Sequence, residues 1–193
     1  MKKTLTIMDF ETNGFKPELH SVLSVYVIKV LVDLEQKTME KIDEYEGYYY
    51  RNLGETENIG ATNVNGLYDD VIERKRTELG IKRPLHFLED EESFRTFYMN
   101  SDVFISHNIG FDSKFLKQHH PKMWCSMKQV SNEIRNQLGG KDPKLKELAS
   151  CLNVPWEENN LHGAKYDTLI LGRCLYRLLK KNDENFIKCL KEA

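Results

Sequence analysis

A chain of 193 residues is long enough for one domain with a real hydrophobic core, and 40% apolar against 30% charged residues is a globular balance rather than a disordered one. A formal net charge of −2 excludes the global basic excess of proteins that grip long polyanions, so any anionic partner must be met through local charge. No run of about eighteen apolar residues occurs, so no transmembrane helix and no membrane partner are expected.

The opening MKKTLTIMDFETNG starts like a secretion signal, but Asp9 and Glu11 break the apolar run too early, so an intracellular, cytoplasmic protein is expected. Cys125, Cys151, Cys174 and Cys189 form no C-x-x-C pair and read as reduced thiols rather than as a zinc or redox motif.

Lys3 to Phe10 reads as a first strand, and Asn13-Gly14 marks the turn region after it. Ser21 to Val32, rich in β-branched residues, reads as a long second strand, and Ile42 to Arg51 as a third whose tyrosine run (Tyr48, Tyr49, Tyr50) serves packing before base stacking. The three form an antiparallel meander. Residues 54–66, rich in Gly, Asn, Glu and Thr, read as a loop, and 67–77 as a charged helix. Residues 73–88 carry Arg74, Lys75, Arg76, Lys82 and Arg83, a local phosphate-binding patch or a solvated basic loop. Asp90 reads as the N-cap of a helix through Phe94 and Tyr98. Asp102 to Ser106 is a short buried strand. Helices are expected at 110–119, 126–138 and 144–152. A long one covers 164–181 with Ile170, Leu171, Leu175, Leu178 and Leu179 on its apolar face, and a short one closes the chain at 183–192. Strands followed by strands mixed with helices give an α/β domain, with no linker or repeat to divide residues 1–193.

Five residues stand out, although singly they read as well or better as a solvated acid pair at a strand end, a helix-start aspartate, and a loop histidine before a helix-start aspartate. Asp9 and Glu11, two apart on a strand, project from one face, and two adjacent carboxylates repel unless a cation lies between them. Mg²⁺ and Mn²⁺ want such oxygen ligands. Asp112 sits in the first turn of the helix after the short strand, where the helix dipole also favours an acid. His162 lies just before the long helix and Asp167 near its start. An imidazole beside a carboxylate cluster suits proton abstraction from water.

In order, the chain carries Asp9-Phe10-Glu11-Thr12-Asn13-Gly14, His107-Asn108-Ile109-Gly110-Phe111-Asp112 and His162-Gly163-Ala164-Lys165-Tyr166-Asp167. This series resembles the three motifs of the DnaQ-like 3′–5′ exonucleases of the DEDDh branch, D-x-E-T-x-G, H-N-x-x-F-D and H-x-A-x-x-D. The likeness runs from Lys3 to about Leu179. The third motif separates this branch from its sister, which has a tyrosine where His162 stands. The resemblance implies an RNase H-like fold with a five-stranded mixed sheet, the first three strands antiparallel, flanked by helices. It implies two divalent metal ions, Mg²⁺ or Mn²⁺, held by Asp9, Glu11, Asp112 and Asp167, with His162 as the base that activates water. The implied substrates are single-stranded DNA or RNA 3′ ends, DNA favoured, released as 5′-nucleoside monophosphates. A polymerase or another nucleic-acid-processing complex is the implied protein partner. Contacts to the terminal nucleotide are expected from the backbone around Thr12, Asn13 and Gly14, from Phe15 stacking on or wedged against the base, from His107, Asn108 and Phe111 as the pocket wall, and from Asn65, which replaces the histidine of a common H-G-I segment. RNA trimming of the RNase T or oligoribonuclease type shares the motifs, and a non-catalytic nucleic-acid-binding module on the same scaffold is the remaining alternative.

Overall fold

The computed structural model describes residues 1–193, apart from the side chain of Asn159. Strands β1 (Lys2–Thr12), β2 (Val22–Asp33) and β3 (Thr38–Tyr48) form the antiparallel meander. Then β4 (Val103–Ser106) pairs parallel to β1, and β5 (Met123–Cys125) pairs parallel to β4. The sheet order is β3-β2-β1-β4-β5, the mixed five-stranded sheet that the motifs imply.

Strand periodicity divides β1 between two cores. Leu5 and Ile7 point to one side of the sheet, where α8 (Ala164–Lys181) packs through Ile170, Leu171, Leu175, Leu178 and Leu179. Met8 and Phe10 point to the other, against Phe87, Phe94 and Tyr98 of α3 (Phe87–Met99). Asp9 and Glu11 continue the odd-numbered series, so they emerge from β1 on the side of α8. Thr168 donates to the Tyr26 carbonyl of β2 at 3.0 Å, which pins the first turns of α8 over this end of the sheet.

Several elements differ from the sequence reading. The segment expected as a loop contains α1 (Ile59–Asn65), capped by the Asn58 side chain at Gly60 and Ala61 and closed by Gly66 at φ 69°. Helix α2 (Asp69–Glu78) follows as expected. Strand β3 begins and ends earlier than expected, leaving Tyr49 beyond it, fully buried against Phe87, so packing is its role. Helix α3 starts at Phe87, and Asp90 is a buried member of it rather than its cap. It accepts from the Tyr45 and Tyr49 hydroxyls at 2.7 and 2.8 Å.

The basic segment is partly consumed by this core. Arg76 donates to the carbonyls of Pro84 and Arg83 at 3.1 and 2.6 Å, and Arg83 lies 3.6 Å over the Tyr45 ring and 3.7 Å from Asp90. These two arginines hold the fold, and the five-cation patch does not form.

The helix expected at 110–119 is only α4 (Ile109–Asp112) with a 3₁₀ turn, ending where Leu116 turns extended. The one expected at 126–138 is split at Val130 into α5 (Ser126–Gln129) and α6 (Asn132–Gln137). Helices α7 (Leu145–Cys151) and α9 (Glu184–Lys191) stand as expected. All four cysteines are free. Among the described residues no helix is long and apolar enough to cross a membrane.

Candidate active site

Asp9, Glu11 and Asp167 each place a carboxylate oxygen within 4.8 Å of the other two. Two come from successive outward positions of β1 and the third from the first turn of α8, so the cluster exists only because α8 crosses that end of the strand. Burial first, then the charges of Asp112, Glu11 and Asp167, hold the Asp9 carboxyl well above the ordinary range. Burial and the same repulsion, from Asp167 and Asp112, raise Glu11 to about 8, against a hydrogen bond from Asn65 that lowers it. Burial raises Asp167 to about 6. Its Oδ2 accepts the backbone N–H of His162 at 3.2 Å, while Oδ1 is buried and has no hydrogen-bond partner among the described residues.

Asp112 is buried beside this group but turned to Ser106, whose hydroxyl donates to its Oδ2. Burial raises it to about 7, with the Ser106 bond pulling the other way. It therefore acts on the three-membered cluster through its charge, which Asp9 feels. His162 is exposed and adopts φ 66°, a left-handed conformation costly for a residue with a β-carbon. Its N–H bond to Asp167 holds the chain in that turn.

Beside the carboxylates opens a cleft of about 360 Å³, lined by Glu11, Gly14, Phe15, Ala61, Val64 and Phe111 among others. Phe15 is 78% exposed and meets Phe111 edge-on at 6.0 Å between ring centres, so it is a cleft residue and not core. Gly14 leaves the room this loop needs, since a β-carbon there would lie 2.7 Å from the His20 ring. Thr12 also lines the cleft, with its hydroxyl donating to the Gly14 carbonyl at 2.7 Å.

The other expected nucleotide contacts are distributed differently. Asn13 is fully buried and turned away from the cleft, its amide donating to Glu55 at 2.6 Å and to the Thr56 carbonyl at 2.9 Å. Asn65 lines the cleft, and its amide donates to the Thr12 carbonyl at 3.0 Å. His107 faces the start of α5, with Nδ1 2.8 Å from the Ser126 hydroxyl. Burial pushes its imidazole down to about 4, so it is neutral. Asn108 is exposed where α4 begins. Of the three expected from the second motif, Phe111 lines the cleft. The wall made by α1, including Asn58, Ala61 and Val64, was not expected. Its signal was the pair of caps, Asn58 and Gly66, framing seven residues.

No family model matches the chain. A DNA polymerase III of PolC type from Oceanobacillus iheyensis is 22% identical over 186 residues, which are 92% of this chain, and the match spans 12% of the polymerase's length. Among solved structures, exonuclease X in complex with 5′-overhanging duplex DNA superposes with a TM-score of 0.62 at 16% identity, over 96% of this chain and 99% of that one. The nuclease domain of 3′hExo, a DEDDh family member bound to rAMP, gives 0.57 at 19% identity, over 95% and 94%. The chain has the fold of these 3′-exonucleases.

Proposed function

We propose that this chain is a metal-dependent 3′–5′ exonuclease of the DEDDh group that shortens single-stranded nucleic acid, DNA in preference to RNA, by one 5′-nucleoside monophosphate at a time. The observation that carries the reading is the convergence of Asp9, Glu11 and Asp167 beside an apolar cleft with Phe15 at its rim.

The donor set fits a hard divalent cation. All of its atoms are carboxylate oxygens, their proximity makes ionisation costly without a cation, and Asp167 Oδ1 is a buried acceptor with no partner among the described residues. Asp9, Glu11 and Asp167 would hold Mg²⁺ or Mn²⁺ directly, and Asp112 would assist in holding a second ion. Bound there, the ions would supply a water of lowered pKa and offset the charge that builds on the leaving 3′ oxygen. The chain's own residues do the rest. His162, set on the exposed turn before α8, takes the proton of the attacking water at a ring nitrogen. Phe15 and Phe111 give the terminal base an aromatic surface, an interaction worth about 1–3 kcal/mol per base and indifferent to sequence.

The polymerase relative and the DNA held by exonuclease X support DNA as substrate and a polymerase or another nucleic-acid-processing assembly as partner. The likeness to 3′hExo, bound to rAMP, favours RNA trimming as the second reading. The test is degradation of matched labelled single-stranded DNA, duplex DNA and RNA, with Mn²⁺ and with EDTA, by the parent and by Asp9→Asn. Mn²⁺-dependent laddering from the 3′ end of single-stranded DNA, faster than RNA and absent in the variant, is the expected result. Equal rates for parent and variant would remove the site assignment, and faster loss of RNA would install the second reading.

A further inference from the structure

The geometry points to Glu55 as a positioning residue that fixes the α1 wall of the cleft against the first-motif loop, and so sets the affinity for the terminal nucleotide. This rests on the exonuclease reading.

Helix α1 needs such a device. Of its seven residues only Thr62 is buried, while Ile59 and Val64 are 68% and 60% exposed, so apolar packing does not hold it. It is held by polar clamps at its two ends. At the C-terminal end, Asn65 donates to the Thr12 carbonyl at 3.0 Å. At the N-terminal end, the buried Asn13 accepts from the Asn58 N–H at 2.9 Å, and Asn58 is the residue that caps α1.

Glu55 is the hub behind this second clamp. Its Oε1 accepts from the Asn13 amide at 2.6 Å and from the Ser21 N–H at 2.9 Å, and its Oε2 accepts from the Ser21 hydroxyl. Ser21 in turn accepts the first-motif loop through Asn13 N–H to Ser21 carbonyl, at 2.9 Å. One carboxylate thus joins the end of β1, the start of β2 and the segment leading to α1. Glu55 does not line the cleft and is not among the carboxylates that would hold metal. Its removal should therefore loosen the wall without disturbing the reacting centre.

The variants are Glu55→Ala and Glu55→Gln. Glutamine keeps an oxygen for the Asn13 amide and the Ser21 N–H, its amide can donate to the Ser21 hydroxyl oxygen, and the Asn52 N–H, which loses its 3.3 Å contact to Oε2, keeps its 2.8 Å bond to that hydroxyl. Steady-state kinetics on a single-stranded oligonucleotide, with Mn²⁺ affinity measured by calorimetry, should show KM raised roughly tenfold to a hundredfold in Glu55→Ala, with kcat within about threefold and metal affinity unchanged. Glu55→Gln should return KM to within about threefold of the parent. An unchanged KM in Glu55→Ala, or a Glu55→Gln variant as impaired as Glu55→Ala, overturns the proposal. So does a loss carried by kcat or by metal affinity. Should Glu55→Ala not fold, hydrogen exchange on the parent decides: adding a 5′-mononucleotide with Mn²⁺ should slow the amides of residues 59–65, and no protection there refutes the role of α1. A parent that degrades no oligonucleotide at all refutes the exonuclease reading instead, so the two failures are distinct.

Discussion

Chelation should turn the acidic cluster into a pH-dependent weakness. Glu11, Asp112 and Asp167 have folded-state values of about 8, 7 and 6, all above those of unfolded carboxyls. The stability that such groups contribute is complete below the unfolded value and is lost as pH rises through the folded one. His107 has the opposite sign: burial holds it at about 4, so its contribution grows with pH and is complete near pH 6.5. The clean window is therefore about pH 6.5 to 8, where Glu11 is ionised when unfolded but resists ionisation when folded. Over those 1.5 or so pH units, at ~1.36 kcal/mol per unit, Glu11 alone costs about 2 kcal/mol, and Asp112 adds in the same direction. For a chain of this size that is a fall in Tm of roughly 4–8 °C. Thermal unfolding followed by circular dichroism in EDTA should show this fall, and saturating Mn²⁺ should flatten it, because the ion favours the ionised carboxylates that the bare site resists. A Tm in EDTA that is level or rises from pH 6.5 to 8 would refute the reasoning, as would a fall that Mn²⁺ leaves unchanged.

Two further outcomes separate roles that the sequence alone leaves together. His162→Ala should lower the rate of nucleotide release by roughly 10²–10⁴-fold while calorimetric Mn²⁺ binding stays within about twofold, because its ring supplies proton transfer and no carboxylate oxygen. Asp90→Ala should cost about 3–5 kcal/mol in denaturant unfolding, the penalty for breaking a buried charge network that serves Tyr45, Tyr49 and Arg83, where loss of a helix cap would cost about 1 kcal/mol.

Asp90 also shows where sequence reading stops. An acid followed by Glu91, Glu92 and Phe94 has the local signature of a helix start, and nothing nearby in sequence announces that Tyr45, Tyr49 and Arg83 will enclose it. Its partners lie 45, 41 and 7 residues away, and only the packing of α3 on β3 brings them together. The same holds for β5, whose three residues become a strand by pairing with β4 and carry too short a pattern to be read alone. The carboxylates are different in kind. Strand alternation places Asp9 and Glu11 on the face that carries Leu5 and Ile7, and in the fold the apolar stripe of α8 covers that same face. The approach of Asp167, in the first turn of α8, is instead implied by the order of the three motifs and the family they resemble, since neither periodicity says which face or which end of the sheet the helix covers. What they leave open is the partner of each buried oxygen. Asp112 Oδ2 accepts the Ser106 hydroxyl, a partner that no spacing in the chain announces. Asn13 lies inside the first motif, yet it turns from the cleft to Glu55. Hydrogen-bond partners are chosen by the last ångström of packing, which periodicity does not encode. The clustered carboxylates of β1 and α8 were therefore legible in the motifs, while the polar partners around the cleft became visible only once the chain was folded.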